Sequence, residues 1–169
     1  MKNFDPTLLS FLNQHNIVFD YYEHRPIFTV EEGEDIKHTI PGIHTKNLFL
    51  TDKKGQYFLV CVESSKRLPI NQFRKLIWVK DLSFATPEDM KKILNLTPGS
   101  VSLFWLVCQP THLQLYLDHD LREVPKVWRH PNRNDATLMI DHENLEKFLH
   151  AVSIQPTMLY MWDTLSLLV

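Results

Sequence analysis

A hairpin signal about a third of the way along the chain constrains it more than any other feature. An apolar run, Asn47-Leu48-Phe49-Leu50, leads into Asp52-Lys53-Lys54-Gly55, and a second run, Gln56 to Val62, leaves it. Asp and Gly at those offsets favour a tight reversal, so the two runs read as paired strands. Lys46 stands at the mouth of the first strand. A lysine is costly at the start of a core strand unless its charge has a task. The plain alternative is an edge-strand lysine that discourages aggregation.

Around this hairpin, helix and strand signals alternate irregularly. Asp5-Pro6 predicts a capped helix whose apolar face is Leu8, Leu9, Phe11 and Leu12, ending near Asn16. Ile17 to Tyr22 reads as a strand, and Arg25-Pro26 as an extended loop. Thr29 is placed to cap a short helix with Glu32 as its capping-box partner. Asn71 to Leu76 predicts a short helix, and Thr86-Pro87 starts another that runs to about Leu94. Pro98-Gly99 breaks the chain. Val101–Val107 and His112–Leu117 read as strands around Gln109-Pro110-Thr111, followed by a helical turn over Asp118–Leu121. Val124–Trp128 and Ala136–Ile140 are further strands, separated by the loop His130–Asn134. Asp141 caps a last helix through Leu149, and Met158–Val169 reads as a packed tail. This mixture predicts an α+β fold: one domain over residues 1–169, with a mixed or antiparallel sheet flanked by helices.

Composition narrows the function classes. At 44% hydrophobic residues the chain has enough apolar material for a core, which excludes a disordered tail protein. Ten prolines against four glycines favour rigid loops over flexible linkers. Asp5 and Pro6 interrupt the N-terminus before a signal-peptide core develops, and no apolar run reaches membrane-spanning length. Cys61 and Cys108 sit in apolar runs without a CxxC spacing, so both are expected to be buried reduced thiols in a cytoplasmic protein. A net charge of −2 argues against a generic nucleic-acid binder. From Lys46 to Lys80, however, eight Lys or Arg face only Asp52 and Glu63. A basic face on an acidic body suits a protein that touches a few phosphates, although basic residues close in sequence can also scatter over a solvated surface.

Several chemistries lack their signatures. No HExxH, P-loop, dinucleotide-binding glycine pattern or nucleophile elbow is present. None of the nine histidines shows a helical i,i+4 ligand pair, so no metal and no cofactor is expected. Ser64-Ser65-Lys66 reads as a solvated turn rather than a serine–lysine pair.

Four segments, taken in order, carry a family resemblance. They are Tyr22–Glu32, His44–Asp52, Pro98–Ser102 and His130–Thr137. Together they resemble the YbaK/ProX-type aminoacyl-tRNA editing domains, in particular the free-standing alanyl-tRNA(Pro) deacylases (PrdX-like), over about Tyr22 to Leu149. The resemblance implies a curved, barrel-like sheet with a cleft at one end. It implies hydrolysis of a mischarged aminoacyl-tRNA, most of all alanyl-tRNA(Pro), by a positioned water. The partners implied are the tRNA acceptor end and prolyl-tRNA synthetase or other translation factors.

The same resemblance assigns candidate residues. Lys46 matches the family's active lysine, with Asn47 beside it. Gly99 and Ser100 match a loop whose N–H groups can stabilise a developing oxyanion. His130 matches a cleft histidine whose main chain helps recognise the substrate amino group. Thr29, Val30 and Val101 complete the expected substrate-binding set, although a simple helix start explains Thr29 and Val30 as well. Leu103 stands where relatives carry proline, which predicts a looser substrate loop. Two other readings stay open: the same chemistry on cysteinyl, seryl or threonyl esters, and a non-catalytic tRNA-binding module.

Overall fold

The structure, a computed structural model, describes residues 4–29, 31–108, 113–161 and 165–168. Helix α1 (Pro6–Gln14) starts where its cap predicts: the Asp5 carboxylate accepts from the N–H groups of Thr7 and Leu8. Strand β1 (Asp20–Glu23) begins later than the apolar run suggests. A 3-10 turn (Glu31–Gly33) leads into the short α2 (Glu34–Lys37). Then come β2 (Thr45–Thr51) and β3 (Tyr57–Glu63), paired antiparallel from Thr45↔Glu63 to Thr51↔Tyr57. In their turn the Asp52 carboxylate accepts from Lys54 and Gln56 N–H, and Gly55 takes φ +77°.

Helix α3 (Ile70–Leu76) and the two-residue β4 (Ser83–Phe84) follow. The capping box of Thr86 and Asp89 opens α4 (Pro87–Asp89), which widens into a π turn over Met90–Leu94. The chain continues as a 3-10 helix (Leu103–Cys108), β5 (Leu113–Asp118), α5 (Asp120–Glu123), β6 (Lys126–Arg129), β7 (Ala136–Asp141), α6 (His142–Ala151), β8 (Thr157–Met161) and β9 (Leu165–Leu168).

Among the described residues the strands form two sheets. One has the order β1-β7-β6 and is antiparallel; the other runs β4-β2-β3-β5-β8-β9 and is mixed, with β5 parallel to both β3 and β8. A parallel bridge between Ile43 and Val127 joins them, so β2 and β6 begin side by side. This is the α+β, curved mixed-sheet architecture expected.

β3 is buried on both faces, which explains its unbroken apolar run. Phe58, Val60 and Val62 pack with Leu50, Phe73 and Tyr116 on one side. Leu59 and Cys61 join Phe49, Leu117 and the residues of α1, α6 and the 3-10 helix on the other.

Four expectations are corrected. Leu103–Cys108 is a 3-10 helix rather than a strand. The Ser102 hydroxyl accepts from Phe104 N–H, and Trp105 N–H donates to Ser102 O, so a local cap wins. Leu103 to Leu106 are buried in succession, a pattern that carries no period to separate the two conformations. The C-terminal segment is not merely a packed tail: β8 and β9 extend the mixed sheet as an antiparallel pair. Cys108 is exposed, whereas Cys61 is buried; both are free thiols. Lys66 is not solvated, because its ammonium pairs with the fully buried Asp118 at 2.9 Å and with Asp120 at 2.5 Å. The turn expected at Gln109–Thr111 and the residue His112 lie outside the described residues.

Candidate functional site

The start of β2 opens onto a cleft of about 300 Å³. One wall is β2 itself, with Thr45, Lys46, Asn47 and Leu48. Ile27, Phe28 and Thr29 form a second wall, Gly99 and Val101 a third, and Trp128 and His130 a fourth. Each wall is fixed by hydrogen bonds that sequence order does not reveal.

The Lys46 ammonium is half-buried and donates to Ser64 O at 3.0 Å across the β2–β3 pair. By strand alternation Lys46 lies on the face of Leu48 and Leu50, while Asn47 lies on the face of Phe49. Asn47 Nδ2 donates to Val101 O at 3.0 Å, which ties the third wall to β2. Thr45 Oγ1 donates to Trp128 O at 2.5 Å, tying the fourth wall to the same strand.

Gly99 takes φ +84°, a left-handed conformation that favours glycine. A Cβ added there would lie 3.1 Å from Phe28 Cα and 3.2 Å from Ile27 O. Gly99 thus lets the third wall press its backbone against the second. The second wall is anchored in turn by Ile27 N–H donating to Asn134 O at 2.8 Å. At its far end Glu32 N–H donates to Thr29 Oγ1, and the Glu32 carboxylate accepts from Phe28 N–H at 2.8 Å. The capping partnership of Thr29 and Glu32 therefore forms, shifted by one residue on the carboxylate side.

His130 closes the site. Its Nδ1 lies 3.2 Å from Ala136 O. A carbonyl only accepts, so Nδ1 carries the proton and Nε2 is left as the acceptor nitrogen. Burial lowers the His130 pKa, and the nearby His24 lowers it further, against the raising effect of the Ala136 contact. The imidazole is therefore neutral near pH 7. The His130 carbonyl accepts from the Ser102 hydroxyl, which joins the third and fourth walls directly.

Of the residues expected at the site, Thr29, Lys46, Asn47, Gly99, Val101 and His130 all line this one cleft. Val30 lies outside the described residues. Ser100 does not line the cleft: it is buried, its N–H donates to Thr97 O at 3.0 Å, and its hydroxyl pairs with Thr97 Oγ1. Leu103 is also absent from the lining; it sits fully buried in the core, at the first position of the 3-10 helix.

Sequence reasoning missed His44, Trp128, Ser64 O and the hydroxyl of Ser102. The ring of His44 packs on Trp128, whose indole N–H donates to Pro41 O at 2.7 Å. The Ile43–Val127 bridge that brings these rings together pairs residues 84 positions apart, and no local signal announces it.

The arrangement places an ammonium, a neutral imidazole, a side-chain amide and several backbone groups around a pocket of small-substrate size. Such groups can hold a polar ester and stabilise charge that develops on it. Known proteins are similar to this chain. Residues 24–148 match the family model for the aminoacyl-tRNA editing domain. The prolyl-tRNA editing protein ProX of Acetoanaerobium sticklandii is 34% identical over 142 residues, 83% of this chain and 87% of that protein. Prolyl-tRNA synthetase associated domain-containing protein 1 of Danio rerio is 31% identical over 155 residues, 90% of this chain and 84% of its own length. A solved structure of a candidate trans-editing enzyme for prolyl tRNA synthetase superposes with a TM-score of 0.65 at 21% identity, covering 96% of this chain and 98% of that one. The match over residues 24–148 contains every wall of the cleft, and the chain belongs to the aminoacyl-tRNA editing domain family.

Proposed function

We propose that this protein is a trans-editing hydrolase that removes the amino acid from mischarged aminoacyl-tRNA, with alanyl-tRNA(Pro) as its principal substrate. The observation that carries this reading is the convergence of Lys46, Asn47, Gly99, Val101 and His130 on one small cleft in a chain of this family. The names of its relatives, a prolyl-tRNA editing protein and a prolyl-tRNA synthetase associated domain protein, point to tRNA(Pro) and to that synthetase as partners. Translation substrates of this kind support a cytoplasmic location.

The step is ester hydrolysis. A water adds to the carbonyl carbon of the aminoacyl ester, the bond to the ribose oxygen breaks, and that oxygen leaves with a proton as the terminal hydroxyl. The Lys46 ammonium supplies the fixed positive charge that stabilises the oxyanion of the tetrahedral state. The carbonyl of His130 already accepts from Ser102, and its second lone pair suits the substrate ammonium. Ser100 N–H is engaged by Thr97 O, so the oxyanion role on the third wall falls to Gly99 and not to Ser100.

A separate pocket for alanine is chemically necessary. Missing methylenes give a synthetase only about 1–3 kcal/mol of discrimination against a smaller apolar amino acid. The test is a deacylation panel of alanyl-, seryl-, cysteinyl-, threonyl- and prolyl-tRNA(Pro). Preference for the alanyl ester and resistance of the prolyl ester are expected. Rapid removal of correctly attached proline, or inactivity on every ester, refutes the reading.

A further inference from the structure

Among the described residues Arg129 is the largest side chain that is fully buried, at 1% exposure. Among the described residues Nε, Nη1 and Nη2 have no nitrogen or oxygen partner. The contact of the guanidinium is with the thiol of Cys61, a weak acceptor. Burial pushes that thiol up to about 11, so it stays neutral and supplies no counter-charge. The guanidinium itself stays protonated at any physiological pH.

A buried cation without a counter-ion is unfavourable, and apolar replacements of similar volume are often neutral or stabilising. Stability does not explain why this residue is an arginine. Its position suggests what does. Strand alternation along β6 turns Val127 and Arg129 inward and Trp128 toward the cleft. Cys61, which Arg129 touches, is the cross-strand partner of Asn47 in the β2–β3 pair. Facing residues of such a pair have Cβ atoms about 4.5–5.5 Å apart. Asn47 in turn donates from Nδ2 to Val101 O, while its Oδ1 is buried without a partner among the described residues. Arg129, Cys61, Asn47 and Val101 thus form a line from β6 to the third wall of the cleft.

We infer that Arg129 is a positioning residue: its charge holds the Asn47 amide with oxygen turned toward the guanidinium and NH2 turned toward Val101 O, and so fixes the Gly99–Val101 wall. A cation attracts the oxygen end of an amide dipole and repels the NH2 end, and low surrounding polarity strengthens this bias. The charge is kept for the geometry of the site and at the expense of stability. This inference rests on the editing reading for its activity measurements but not for its spectroscopic one.

The test compares wild type, Arg129→Met, Asn47→Ala and the double variant. Arg129→Met is expected to melt at the same temperature as wild type or higher, yet to lose about tenfold or more in kcat/KM on alanyl-tRNA(Pro). The double variant is expected to be no worse than Asn47→Ala alone, because Arg129 acts through Asn47. The side-chain amide NMR signals of Asn47 are expected to shift or broaden in Arg129→Met. Arg129→Gln, which keeps polarity and drops the charge, serves as the second variant if the methionine protein does not fold, with the same expectations. An unmoved Asn47 amide, wild-type activity in the variant, multiplicative losses in the double variant, or a melting temperature that falls together with activity each overturn the inference. Should wild type deacylate nothing, the editing reading fails by itself, and the Asn47 amide signal still decides the role of Arg129.

Discussion

Gly99→Ala tests how the cleft is assembled, and Gly55→Ala is its internal control. Both glycines adopt left-handed backbone, φ +84° and φ +77°. Alanine in that region costs roughly 1–2 kcal/mol. At Gly55 an added Cβ meets nothing within 4 Å, so conformational strain is the whole effect. At Gly99 it would meet Phe28 Cα at 3.1 Å and Ile27 O at 3.2 Å, both backbone atoms that no rotamer change can move. Comfortable contact between carbons needs about 3.5–4.0 Å, so two walls must separate by several tenths of an ångström. Overpacking of this kind costs roughly 1–3 kcal/mol more. For a chain of this length one kcal/mol corresponds to about 2–4 °C in melting temperature. Gly55→Ala should therefore melt roughly 2–8 °C below wild type with full deacylase activity. Gly99→Ala should melt roughly 4–20 °C below wild type and lose about tenfold in kcat/KM, about 1.4 kcal/mol of transition-state stabilisation. Thermal unfolding followed by circular dichroism and single-turnover deacylation of alanyl-tRNA(Pro) provide the measurements. If the two variants match in both, the third wall does not depend on its close approach to Phe28.

Lys46→Met keeps the length of the side chain and removes the charge; folded protein should lose at least about tenfold in deacylation with little change in melting temperature, and wild-type turnover would remove Lys46 from the mechanism. His130 has a folded pKa below its ordinary value of 6.5, so its contribution to stability is complete above about pH 6.5 and is lost as pH falls toward the folded value; chemical denaturation across that range should show this slope, reduced in His130→Gln. Asp118→Asn strips the buried partner from Lys66 and should destabilise the protein more than Asp120→Asn, because Asp118 is fully buried and also accepts from Glu63 N–H; equal melting temperatures would contradict this. Charge reversal at the exposed Arg67, Lys75 and Lys80 should weaken tRNA(Pro) binding more than hydrolysis of a minimal aminoacyl ester, with the loss growing at low salt; equal effects on both substrates would place these residues in the fold or the pocket.

Local signals decided much of this protein before any tertiary contact formed. The Asp52–Gly55 turn and the Asp5, Thr86 and Asp141 caps are all legible because each depends on residues a few positions apart. The ordered motifs around Lys46, Gly99 and His130 likewise announced the family and most of the cleft. Tertiary structure decided the rest. The apolar run at Leu103–Cys108 is buried from Leu103 to Leu106 and carries no period, so its helical conformation came from the Ser102 cap and the packing around it. The Ile43–Val127 bridge, the Asn47–Val101 contact and the Ser102–His130 contact join segments far apart in sequence, and these bring four walls into one cleft. The same is true of charge. Lys66 belongs to a basic stretch in the sequence but is neutralised by Asp118 and Asp120 in space, and Arg129 becomes a buried, uncompensated cation only when β6 folds against Cys61. Burial and pairing are properties of three-dimensional neighbours, so the sequence names the charged groups and the fold determines what each charge does.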